Sequence, residues 1–260
     1  HFGVYPTSFR NTELIYGNDI GSRISALGFK TIITEGLERI LNNRSPHSLY
    51  THPTEADLKI LLRNYRLSDD IAFRFNRDEL TVDRYLSWLD QMPADERLVN
   101  LALDYETFGE HQWEASGIFD FLEHLPAEWL KTAGNSFMTV SETIDAFQSV
   151  DYVDVPDTIT WADTERDLSA WLGNSMQGTA IAALYELKDV ILRTGDLKLI
   201  EDWRRLQTSD HFYYMCTKWF NDGDIHAYFS PYDNPYDAYI FFMNAYHDLR
   251  ARLQDKGVPL

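Results

Sequence analysis

The chain has 260 residues with 44% hydrophobic and 25% charged side chains, an ordinary globular balance that argues against disorder and supports a sizeable core. Asp plus Glu total 41 against 23 Lys plus Arg, a net charge of −18 that disfavours nucleic acid and anionic membrane surfaces as partners. A single cysteine, Cys216, excludes an internal disulfide, and no apolar run approaches the roughly 18 residues of a membrane span.

In chain order, the first 150 residues read as strands alternating with helices. Asn11 to Tyr16 is strand-like, and Lys30 to Thr34 is β-branched and stops at Glu35-Gly36. Lys59 to Tyr65, Leu98 to Leu103 and Ser136 to Val140 are apolar runs of buried-strand length, with helices over 81–91 and 115–123. Continuous apolar strands separated by helices predict an α/β fold with a parallel sheet covered on both faces. Four or five strands are too few for a closed barrel of about eight, so an open sheet or partial barrel is expected.

A composition change near 155–165 marks a boundary, and the rest is helical. Glu165 to Arg193 carries an apolar face at three- and four-residue spacing, broken at Thr194-Gly195-Asp196. Helices follow over 197–206 and 209–221, the latter capped by Ser209 or Asp210. Asn234-Pro235 then opens a helix to about Gln254.

Three segments could carry chemistry. Asp104 directly follows the apolar run LVNLAL, where a parallel strand delivers a side chain to its open end, and Glu106, Glu110 and His111 lie within the next seven positions. A carboxyl there, partly desolvated by Tyr105, Phe108 and Trp113, would titrate high and could act as a general acid; a solvated acidic loop is the plain alternative. Glu13 lies within the short apolar segment TELIY beside Arg10, so a structural ion pair is the simplest reading. Paired with Asp104, it would also supply the second carboxylate that glycoside hydrolysis requires. In AWLGNSMQ, Gly173 and Asn174 are poor interior helix formers, which suggests a close approach at that turn. Trp171 and Asn174 share a face there, suited either to a sugar ring or to helix packing. His47 and His52 read as exposed loop residues, His211 and His226 as packing residues, and Trp161, Trp203 and Trp219 as core. No phosphate loop, zinc spacing or G-x-S-x-G elbow occurs.

FRNTEL, LDYETFGEHQW and AWLGNSMQ, in that order, strongly resemble the last three conserved regions of glycoside hydrolase family 57, in its α-amylase-like branch. LQTSDHFYYM and SPYDNPYDAYIFFMNAY resemble the helical C-terminal region of that branch, so the similarity extends over nearly the whole chain. The resemblance implies an incomplete (β/α)7-type barrel portion over 1–158, followed by a helical domain over 159–260 that completes the substrate cleft. It implies a retaining glycoside hydrolase acting on α-1,4-glucans, with no cofactor and no metal. Carried over by motif, Glu13 matches the nucleophile and Asp104 the general acid/base, with the two carboxyls about 5–5.5 Å apart. Arg10, Glu110, His111, Trp171 and Asn174 match substrate-binding positions. Two alternatives accompany this reading: a 4-α-glucanotransferase, and an inactive glucan-binding remnant. The family's two earlier conserved regions do not precede Glu13, so the first barrel strands are expected to be lost by truncation or supplied by a second chain or copy. The expected partners are a maltooligosaccharide or longer α-glucan, with no nucleic acid and no membrane; the expected compartment is the cytoplasm.

Overall fold

The computed structural model describes residues 3–218, 225–228 and 230–257. The chain divides into two compact units, meeting in sequence at Trp161 and Ala162.

In chain order, the first unit contains β1 (Ser8–Arg10), α1 (Asn18–Ala26), β2 (Thr31–Glu35), α2 (Glu38–Leu41), β3 (Leu49–Thr51) and β4 (Lys59–Arg63). It continues with α3 (Tyr65–Ala72), α4 (Val82–Asp90), α5 (Ile118–Trp129), α6 (Val140–Ala146) and β5 (Asp151–Tyr152). Among the described residues the strands form one sheet of order β1-β2-β4-β3-β5. β1, β2 and β4 run parallel, β3 returns antiparallel to β4, and β5 lies parallel to β3.

The sheet is apolar on both faces because successive residues of TIITE and KILLR point to opposite sides. Ile32, Ile60 and Leu62 join Tyr16, Ile24 and Tyr50 in one cluster, while Leu61 joins Leu49 and Leu98 in another, with Ile33, Val140 and Ile144 packed against it. A third cluster, built on Tyr85, Ile118 and Phe121, ties α4 to α5. Burying both faces is what a parallel sheet requires, and it explains the near-continuous hydrophobic strands.

The α/β class and the strands at 31–35 and 59–63 follow the sequence reading. Four details do not. Asn11 to Tyr16 is a tight turn rather than a strand, because the extended segment is the preceding Ser8–Arg10. Leu98 to Leu103 makes only one bridge, Asn100 to Arg63. Ser136 to Val140 is an irregular lead into α6, where Thr139 caps the helix in a capping box with Glu142. The sheet is not wholly parallel, since Leu49–Thr51 pairs antiparallel with β4. The histidines at 47 and 52 are also not loop-exposed: His52 is 2% exposed with Nε2 2.9 Å from the Asn18 carbonyl, and His47 bonds Glu96 and Asn64.

The second unit contains α7 (Ser169–Leu172), α8 (Ser175–Glu186), α9 (Lys188–Thr194), α10 (Leu197–Arg205), α11 (Ser209–Tyr213), α12 (Ile225–Tyr228) and α13 (Pro235–Asp255). The predicted continuous helix over 165–193 is instead three, broken at Gly173-Asn174 and at Leu187. A Cβ on Gly173 would lie 2.3 Å from the Ser169 carbonyl oxygen, so the close approach inferred from glycine is to the chain's own preceding turn. The cap of α11 is Thr208, and the end of the predicted 209–221 helix lies outside the described residues. Asn234 caps α13 as expected, accepting from Tyr236 and Asp237 backbone N–H groups. Trp203 packs in the core of this unit with Leu184, Phe242 and Leu249; Trp219 lies outside the described residues.

Candidate active site

The three parallel strands end at one edge of the sheet, β2 and β4 level with each other and β1 two residues short of them. The register pairs Arg10 with Ile33 and Glu35 with Arg63, so Arg10, Glu35 and Arg63 close the carboxyl ends of β1, β2 and β4. β3 pairs with β4 only as far as Leu61, and Asn100 then takes the same side of β4 beside Arg63. The segment leading to Asp104 therefore runs along the strand ends. This is the edge at which parallel α/β architectures gather functional side chains.

Arg63 anchors that edge. Its side chain is 3% exposed; it donates to Glu35 at 2.9 Å, to Asp69 at 2.5 Å and, through Nε, to the Ala102 carbonyl at 2.8 Å. The last bond fixes the backbone two residues before Asp104. Asn64 N–H to the Asn100 carbonyl, Asn100 Nδ2 to the Leu62 carbonyl, and Ala102 N–H to Ser68 Oγ add three more ties. The loop is thus held where no regular strand holds it.

Glu13 follows β1 in a turn of left-handed residues, with φ +52° at Glu13 and +50° at Leu14. Such conformations cost a non-glycine residue of the order of 1–2 kcal/mol and persist only when the surroundings impose them. Here they do. Asn11 Nδ2 donates to the Ile15 carbonyl, Thr34 Oγ1 to the Leu14 carbonyl, and the Leu14 side chain is fully buried. Tyr16 pairs with Ile159 in an antiparallel bridge, which brings Trp161 alongside. Trp161 then donates twice to the same residue: its backbone N–H to the Glu13 carbonyl at 3.0 Å and its indole Nε1 to Glu13 Oε2 at 2.7 Å.

Asp104 caps a single turn over Tyr105–Thr107, with its side chain 46% exposed. Its carboxyl titrates above the ordinary carboxylate value, because burial and the Glu106 charge outweigh Arg10, His111 and Arg63. Arg10 Nη2 lies 3.8 Å from Asp104 Oδ1, while the Arg10 guanidinium stands over the Trp161 ring at 4.8 Å. Arg63 lies over the same ring at 5.2 Å. Glu13, Trp161, Arg10 and Asp104 accordingly form one connected group.

Of the other predicted residues, His111 sits beside Phe73, its backbone N–H bonded to the Glu106 carbonyl. Glu110 is exposed and its N–H also bonds the Glu106 carbonyl. Tyr105 (96%) and Trp113 (71%) stand in solvent rather than over Asp104, so the burial that raises Asp104 does not come from those two rings. Trp171 and Asn174 belong to the second unit. Trp171 is 7% exposed, packed against Tyr213, and Asn174 caps α8 in a capping box with Gln177 while donating to the Met215 carbonyl. That placement gives both a structural role within this unit.

Trp161 and Arg63 are the residues the sequence reading passed over. Trp161, expected in the core, is only half-buried and addresses Glu13; nothing in the segment TITWAD alone signals this. Among the described residues no group of three or more His, Cys, Asp or Glu could hold a metal ion, and no helix is long and apolar enough to cross a membrane.

Comparison with known proteins agrees with the motifs. The family profile for glycosyl hydrolase family 57 matches residues 1–156. A curated protein of Methanocaldococcus jannaschii named "Putative alpha-amylase" is 43% identical over 98% of this chain, and the chain spans 57% of that relative's length. A family 57 branching enzyme from Thermococcus kodakaraensis, solved in complex with glucose, superposes with a TM-score of 0.69 at 14% identity, over 97% of this chain and 60% of its own. An exo-type maltose-forming amylase from a Pyrococcus species gives 0.54 at 16%, over 92% and 47%. A 4-alpha-glucanotransferase from Thermococcus litoralis gives 0.53 at 14%, over 84% and 35%. The profile match, the 43% identity and the shared fold together establish that the chain belongs to glycosyl hydrolase family 57.

Proposed function

We propose that the protein is a retaining α-glucan hydrolase of the α-amylase type, with Glu13 as nucleophile and Asp104 as general acid/base. The observation that supports this reading is that two carboxylates from separate segments near the carboxyl ends of the parallel strands are linked through Trp161 and Arg10, Glu13 by the indole N–H and Asp104 by the guanidinium.

In the first step, the Glu13 carboxylate attacks the anomeric carbon and forms a glycosyl ester. The bond to the leaving oxygen breaks as Asp104 gives that oxygen its proton. In the second step, the Asp104 carboxylate takes a proton from water, the resulting hydroxide attacks the anomeric carbon, and Glu13 leaves as carboxylate. Two displacements retain the configuration. Asp104 suits the acid role because its carboxyl is held above the usual range. The indole N–H of Trp161 can only donate, so Glu13 Oε2 is the acceptor, as befits a carboxylate held for attack. Arg10 and His111 act on the acid's charge, Glu110 follows it in the same loop as a proposed substrate contact, and the open faces of Tyr105 and Trp113 offer stacking to sugar rings.

The test is turnover of maltooligosaccharides by the full-length protein, with products resolved by mass and anomeric configuration by NMR. Shorter products of retained configuration, lost in both Glu13→Gln and Asp104→Asn, support the reading. Longer products point to transfer to sugar instead of water. Wild-type turnover in Glu13→Gln rejects the assignment of the nucleophile.

A further inference from the structure

We propose that Trp161 is the positioning residue of the site, and that its indole N–H, not its apolar face, is what the chemistry depends on. This inference rests on the assignment of Glu13 as nucleophile. Trp161 grips Glu13 at two points, the main-chain carbonyl at 3.0 Å and Oε2 at 2.7 Å. A single bond to the carboxylate would leave the side chain free to pivot about the Cα–Cβ bond. A bond to the backbone alone would leave the carboxylate unaimed. Together they fix a residue whose left-handed backbone already sets the direction in which the side chain leaves the turn.

The second half of the argument is how Trp161 is itself held. Its position follows from the bridge between Tyr16 and Ile159, with backbone bonds of 2.9 and 2.8 Å in both directions. Two guanidiniums, of Arg10 and Arg63, lie over its ring. Arg63 is fixed by Glu35, Asp69 and the Ala102 carbonyl. Arg10 reaches Asp104 from the same ring. One side chain therefore references both carboxylates to the rigid strand ends. An error of about 1 Å at a reacting group can cost 100-fold in rate, so such a reference has kinetic weight.

A ring that merely stacked on substrate would act differently: its removal would raise KM. Loss of the N–H should lower kcat by about 10–100-fold with KM within about twofold, since the missing bond orients an attacking group.

The experiment uses the full-length protein with Trp161→Phe and, as an isosteric replacement that keeps shape and removes only the N–H, benzothienylalanine at position 161. Each is assayed on a maltooligosaccharide and on an aryl maltoside with a highly activated leaving group, which needs no proton from Asp104. We expect kcat/KM to stay low on the activated substrate for both replacements, whereas kcat/KM of Asp104→Asn largely recovers there, its kcat remaining low because water in the second step still lacks its base. A benzothienylalanine protein with wild-type kcat, while Glu13→Gln is inactive, overturns the role of the N–H and leaves the proposed function standing. A rise in KM at unchanged kcat also overturns it, in favour of a stacking platform. Activity retained in Glu13→Gln removes the nucleophile assignment itself.

Discussion

Arg63 and Glu35 meet at 2.9 Å across the ends of two adjacent parallel strands, with side-chain exposures of 3% and 0%. A buried ion pair of this kind has little net effect when both partners are replaced together, but removing one strands the other charge. Arg63→Met should therefore lower the unfolding free energy by about 3–5 kcal/mol in urea titration. The double variant Arg63→Met, Glu35→Leu should recover part of that loss, while Asp69 keeps recovery incomplete. No recovery at all would show that packing, not stranded charge, dominates.

Gly36 sits directly after Glu35, where an added Cβ would lie 2.4 Å from the Arg63 carbonyl oxygen. Backbone is the obstacle, so it cannot swing aside. Gly36→Ala should cost about 1–3 kcal/mol and lower Tm, measured by calorimetry. Gly178, with nothing within 4 Å of its Cβ position, is the control that should tolerate alanine.

The proton on Asp104 is governed first by burial and next by the charge of Glu106. A general acid must be protonated to act, so activity falls as pH rises through its pKa. Glu106→Gln removes a raising influence and should move the alkaline limb of kcat/KM to lower pH. Arg10→Met removes a lowering one and should move it upward, and opposite displacement of the two limbs is the decisive measurement.

In the helical unit, His226 is fully buried, 2.9 Å from the Asp163 carboxylate. Burial opposes its charge, but hydrogen bonds with Asp163 and Cys216 prevail and push its pKa up to about 9. A raised histidine stabilises the fold fully below its unfolded value near 6.5 and loses that contribution as pH climbs through about 9. The unfolding free energy of the wild type, from urea titration, should thus decline between pH 6.5 and 9.5 more than that of Asp163→Asn, by a difference on the order of 2–3 kcal/mol. Parallel curves would refute it.

Asn174 offers a test of role. Its side chain accepts from Gln177 N–H and donates to the Met215 carbonyl. Asn174→Ala should cost about 1–2 kcal/mol in stability with KM for maltooligosaccharides unchanged. A rise in KM without loss of Tm would instead mark it as a sugar-binding residue.

Much of this was readable beforehand where local chemistry decides. TIITE and KILLR are apolar on both faces, and Asn234-Pro235 is a helix start by its own hydrogen bonding. The resemblance in the motifs around Glu13 and Asp104 supplies the pair proposed as nucleophile and acid/base. What stayed hidden depends on partners far along the chain. LVNLAL has strand composition, yet β3 already covers most of that side of β4, so one bridge is all it makes. Trp161 lies 148 residues from the carboxylate it holds. No periodicity records such a pairing.

The turn at Glu13 sets up a conflict between two kinds of selection. Glycine or asparagine would occupy that backbone at lower cost. A library randomised at position 13 and screened for heat resistance alone should drift toward those two residues, whereas one screened for sugar turnover should return glutamate. The distance between the two outcomes measures how far the proposed chemistry pulls this position from what folding alone would choose.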